Sequence, residues 1–105
     1  MVDARPSPQD GPVPISGLPE RGRVLCQGFI ESVTYVPASQ VASFTATVSD
    51  HEGRGRLRVI WLGRRRVPGI DAGTEVRLQG MLTVREGVPT MFNPRYEILS
   101  RQENQ

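Results

Sequence analysis

Apolar residues recur at every second position over most of the chain beyond residue 20, the period of half-buried strands, and Gly, Pro and Asp punctuate the runs. The first run, residues 23–35, sets Val24, Cys26, Gly28 and Ile30 on one parity, with Gly28 as a bend point. Residues 37–40 read as a loop. A second strand over 41–49 turns Phe44, Ala46 and Val48 inward and Ser43, Thr45 and Thr47 outward. Asp50 opens a turn that Gly53 closes with the positive φ such turns need. The third strand, 56–62, points Leu57, Val59 and Trp61 inward and Arg56, Arg58 and Ile60 outward. Residues 64–73 form a connection. A fourth strand over 74–84 carries Val76, Leu78, Leu82 and Val84 in register, with Gly80 midway. Glu86-Gly87 turns the chain into a fifth strand, 90–99, interrupted by Pro94, which cannot donate to a central ladder. No long helix is predicted.

Residues 1–20 behave differently. They hold five of the nine prolines and no hydrophobic period, so they predict a disordered tail unable to offset its own ordering entropy. The tail has one Arg and three acids, which leaves 12 Arg and 8 acids, a net +4, in the other 85 of the 105 residues. The expected folded part, residues 21–100, is therefore the basic part, and 101–105 is a flexible end. A chain of this length supports one small core and excludes a multi-domain enzyme.

All 13 basic residues are Arg, which removes Schiff-base chemistry and a phosphate-loop lysine. Arg binds phosphate bidentately, although an all-Arg composition equally records a GC-rich genome. One Cys and one His make neither a disulfide nor a Cys/His metal cluster. The turn 50–52 offers Asp50, His51 and Glu52, but adjacent turn residues point apart and no second His or Cys pair completes a site. Gly53-Arg54-Gly55 lacks the third glycine and the helix of a dinucleotide fingerprint. No cofactor, no metal and no enzymatic activity are expected. Nor does any apolar run reach the roughly 18 residues of a membrane span, and no signal peptide is legible, so the expectation is a cytoplasmic protein.

Five strands in about 80 residues, with a long bent first strand and a connection between the third and fourth, match an all-β, five-stranded Greek-key barrel, the OB-fold. Gly28, Asp50 and Gly53, the run LRVIWL at 57–62, Gly73, Gly80 and the closing NPRYEIL at 93–99 together resemble nucleic-acid-binding OB domains. The similarity is greatest to the wedge domain of RecG-type helicases and to small stand-alone actinobacterial OB-fold proteins, and it covers residues 22–99. The helicase motor motifs are absent, so the resemblance implies only a binding module for single-stranded nucleic acid, chiefly DNA. A monomer or weak homo-oligomer is the expected state.

In OB-folds the ligand lies across strands 2 and 3 and the loops that flank them. That implies phosphate contacts from Arg56 and Arg58 and hydrogen bonds from Ser43, Thr45 and Thr47, a set that also reads as an ordinary solvated strand face. Arg64, Arg65 and Arg66 repel one another unless an anion is near, yet a solvated arginine run reads the same way. Arg85 sits just before the last turn, a position that the resemblance places at the rim of the binding canyon. Phe29, off the core parity, and Tyr35, at the first loop, are the stacking candidates, whereas Trp61 is expected in the core and Tyr96 is expected to anchor a backbone group. The competing reading is a protein-interaction or regulatory domain that presents Ile60, Leu62 and the same arginines to a partner.

Overall fold

The computed structural model describes residues 11–37 and 41–100. The chain is all-β. Its strands are β1 (Val13–Pro14), β2 (Gly22–Val36), β3 (Ser43–Ser49), β4 (Leu57–Leu62), β5 (Glu75–Arg85), β6 (Val88–Phe92) and β7 (Arg95–Ser100). Among the described residues a single 3-10 turn, Ile15–Gly17, is the only helical element, and no helix is long and apolar enough to cross a membrane.

The strands form one sheet in the order β1-β2-β3-β4-β6-β5-β7, and a further pairing of β2 with β5 closes the succession β2-β3-β4-β6-β5 on itself. β2 achieves this by serving two partners. Residues 22–29 pair with β5, and residues 29–36 pair with β3. A register slip between Ile30 and Ser32 bends the strand and resets its parity, so that Val33 rather than Ser32 continues the inward row. β4 and β6 run parallel, with Val59 opposite Met91.

The inward rows make the core: Val24, Cys26 and Ile30, then Phe44, Ala46 and Val48, then Leu57, Val59 and Trp61, then Val76, Leu78 and Leu82, and Met91. Trp61 is 4% exposed and meets the ring of Tyr96 edge-on at 5.8 Å. The Tyr96 hydroxyl donates to the Pro68 carbonyl at 2.9 Å, and Val67 and Ile70 are buried on either side. The connection 63–73 is thereby tied down as a cap on one end of the ring. Thus Trp61 and Tyr96 take the structural roles that their patterns imply.

Three expectations need correction. The predicted tail does not extend through residue 20: β1 lies parallel to Cys26 and Gln27, and Ile15 is 2% exposed in the core. The reason is complementary shape rather than local period, since Gly28 leaves the space that Ile15 fills. A Cβ on Gly28 would strike the Ile15 side chain, the Ser49 carbonyl oxygen at 2.5 Å and Val48 at 2.9 Å. The expected tail residues 1–10, loop residues 38–40 and terminal residues 101–105 lie outside the described residues.

The second correction concerns strand number, which among the described residues is seven rather than five. β1 is one addition, and the predicted strand 90–99 divides at Asn93, whose φ of 53° turns the chain, and at Pro94, which has no N–H to donate. Third, Val84 is exposed although it shares parity with Leu82, because β5 there has left β2 and projects with β6 as a hairpin.

Candidate nucleic-acid interface

Register assigns the outward face of β3 and β4 residue by residue. Thr47 lies opposite Arg58, Thr45 opposite Ile60 and Ser43 opposite Leu62. β2 extends these rows on one side, with Ser32 beside Thr47 and Thr34 beside Thr45. β6 extends them on the other, with Thr90 beside Arg58 and Phe92 beside Ile60. The result is a band of hydroxyls and one guanidinium flanking a half-buried apolar centre of Ile60 and Phe92. Thr90 contributes no donor to it, because its hydroxyl is bonded to the Val88 carbonyl at 2.9 Å and its side chain is buried.

The β5–β6 turn overhangs this band. Glu86 and Gly87 have φ of 55° and 78°, the two successive positive values of a two-residue hairpin. It brings the Arg85 guanidinium over the Phe92 ring, 5.3 Å from the centroid, and sets the Glu86 carboxylate 3.7 Å from Arg58. The first contact presents a cation and a π-face together, as stacking sites for bases do. In the second, an exposed carboxylate competes with any phosphate for Arg58, at a cost limited by solvent.

Of the sequence candidates, Ser43, Thr45, Thr47, Arg58 and Arg85 share this face. Arg56 is exposed just before β4 begins. Arg64, Arg65 and Arg66 are exposed between Gly63, whose amide donates to the Ala42 carbonyl at 2.6 Å, and buried Val67. They therefore stand at the Ser43 end of the band, and Arg66 edges a groove beside Val33 and Phe44.

The two stacking candidates go elsewhere. Tyr35 is 39% exposed but pairs with Phe44, on the inward parity of the β2–β3 ribbon and behind the threonine row. Phe29 lies at the other end of the sheet, in a hollow with Pro12, Pro14, Asp50, His51 and Glu75. Its two carboxylates repel phosphate. Glu75 accepts the Gln27 amide at 2.9 Å and the Ser100 hydroxyl at 3.2 Å. Burial works to raise the Asp50 pKa, but the amides of Arg54 and Glu52, the Ser16 hydroxyl and the charge of His51 outweigh it and hold the carboxyl below its usual range.

Phe92 is the residue that sequence reasoning missed. Read as part of one strand from 90 to 99 it had no face of its own, and the signal that frees it is Asn93-Pro94 directly after it. Cys26 is fully buried, and burial pushes its thiol up to about 12, which leaves it unreactive at neutral pH. Among the described residues no three His, Cys, Asp or Glu side chains converge as metal ligands would. No protein-family model, curated protein or solved structure matches this chain.

Proposed function

We propose that this chain is an OB-fold module that binds single-stranded nucleic acid, chiefly DNA, with little sequence preference and no catalytic step. The observation that carries the reading is the closed succession β2-β3-β4-β6-β5, with β1 and β7 as additions to a five-stranded ring, whose outward band holds Thr45, Thr47, Arg58 and Phe92 side by side. Arg58 and Arg85 neutralise phosphates, the β3 hydroxyls donate to phosphate or sugar oxygens, and Phe92 stacks a base. Arg56 and the Arg64–Arg66 run add phosphate contacts at the two ends of β4. The net charge of +2 over the whole chain is modest, which suits weak binding and a place in a larger assembly, as an accessory to DNA repair or recombination.

The test is fluorescence anisotropy with labelled single-stranded DNA, single-stranded RNA and duplex DNA at two salt concentrations. Three or four arginine contacts give a log–log salt slope of about −2 to −3, at roughly −0.7 per contact. Salt-insensitive binding, or none at tens of micromolar, refutes the reading.

A second reading has its own observation. Leu62 is 45% exposed and shares a row through Ser43 with exposed Val36, an apolar margin that a protein partner would cover. Binding of that kind survives salt and fails on Ile60→Arg or Leu62→Arg, whereas nucleic-acid binding falls with salt and with Arg58→Ala.

A further inference from the structure

The turn between β6 and β7 is anchored by three contacts, two to β4 and one to β5. The Asn93 amide donates to the Ile60 carbonyl at 2.8 Å, and the Asn93 Oδ1 accepts the Leu62 amide at 3.0 Å. Buried Pro94 lies across Gly80, where a Cβ would stand 3.2 Å from the proline Cβ. Held in this way, the turn places Phe92 and Arg95 on one hollow that Arg23, Gln79, Met81 and Asn93 complete. The two arginines reach it from strands on opposite sides of β5, since Arg23 pairs with Met81 and Arg95 with Gln79.

The chemistry of the hollow contrasts with that around Phe29. No carboxylate lines it, and among the described residues neither Arg23 nor Arg95 takes part in an ion pair. Two arginines lining one hollow suit a phosphate, the Gln79 and Asn93 side-chain amides suit a base edge or sugar, and Met81 and Phe92 supply apolar contact for a base. Phe92 belongs to this hollow and to the Thr45–Arg58 band alike, and neighbouring strands lie only about 4.8 Å apart.

We infer that the Arg23–Arg95 hollow is a second subsite for the same nucleic-acid strand, which crosses the β3–β4 face, passes Phe92 and continues over β5. This rests on the function proposed above. Phosphates on the far side of Phe92 are held by Arg23 and Arg95, so the strand wraps part-way round the ring instead of ending at β6. A short oligonucleotide fills the first face only, and a long one occupies both.

The experiment measures binding of oligothymidylates of about 6 and about 15 nucleotides, near the two ends of the range for one such module. The proteins are wild type, Arg23→Ala, Arg95→Ala, Arg58→Ala and, as a control for charge loss away from the path, Arg54→Ala. For the long strand, Arg23→Ala and Arg95→Ala each weaken binding about fivefold at about 0.1 M salt and flatten the salt slope by about 0.7, one phosphate contact apiece. The short strand is held by both variants as by wild type, while Arg58→Ala weakens both lengths. Both substituted side chains belong to exposed residues, and unchanged melting curves confirm that the variants are folded. The inference is overturned if the long strand binds these variants no more weakly than Arg54→Ala, or if short and long strands lose equally. Failure of wild type to bind either length refutes the parent reading and this one with it, whereas unchanged variants beside a salt-sensitive wild type refute this one alone.

Discussion

Ile15→Ala tests the least expected feature of the fold, the docking of residues 13–17. The side chain is 2% exposed and packs where Gly28 leaves room, so truncation removes buried methyl groups and opens a cavity that Val48 and the Ser49 carbonyl cannot close without moving backbone. Ile→Ala at such sites costs about 2–5 kcal/mol. The upper end is not reached here, because β1 has only two residue pairs to β2 and releases locally once its anchor is lost. We expect about 2–3 kcal/mol by urea unfolding, and a melting temperature lower by about 10–20 °C for a domain of this size. Pro14→Ala, at an exposed neighbour, stays within about 0.5 kcal/mol. Gly28→Ala alone overpacks the site by about 1–3 kcal/mol, and its cost shrinks when Ile15 is already Ala, since one of its three clashing groups has gone. An Ile15→Ala loss below about 0.5 kcal/mol refutes the reasoning and returns residues 13–17 to the tail.

Five further outcomes follow from the structure. Trp61 emission is blue-shifted and poorly quenched by iodide, and a red, accessible spectrum would invert the assigned parity of β4. Tyr96→Phe lowers stability by about 0.5–1.5 kcal/mol through loss of the bond to Pro68, read by thermal melting, with faster amide exchange expected across 63–73. Because the Cys26 thiol titrates near 12 when folded against 9.0 ordinarily, the unfolded chain loses its proton first. Stability therefore falls as pH rises beyond about 9, and Cys26→Ala removes that slope in unfolding titrations. Asp50 has the opposite sign: with its folded pKa lowered, its contribution is present at neutral pH and is lost on acidification below the carboxylate range, a dependence that Asp50→Asn abolishes. For the proposed interface, Glu86→Gln is expected to strengthen single-strand binding about 1.5- to 5-fold by freeing Arg58, and an unchanged or weaker affinity would remove Arg58 from the proposed phosphate path.

The alternation of side chains determined a good deal by itself. A strand has a period of two, so the pattern in 41–49 and 56–62 is enough to send Phe44, Ala46, Val48, Leu57, Val59 and Trp61 inward and Thr45, Thr47 and Arg58 outward, and all nine occupy those faces. Asp50 and Gly53 likewise make their turn from local chemistry, with the Asp50 Oδ1 accepting two amides and Gly53 at φ 77°. What period cannot express is which strands become neighbours. Ile15 looks like an isolated apolar residue among prolines until the bend of β2 brings Gly28 beneath it, and Phe92 has no assigned face until Asn93-Pro94 separates β6 from β7. Phe29 and Tyr35 were legible as off-core or loop-edge aromatics, but the bulge between Ile30 and Ser32 resets the parity between them and sends one to an acidic hollow and the other behind the threonine row. That Arg23 and Arg95, 72 positions apart in the chain, line one hollow depends wholly on the non-local pairing of β5 with both β2 and β7. Local sequence sets the face of each residue within its strand, and only the closure of the ring decides which faces adjoin.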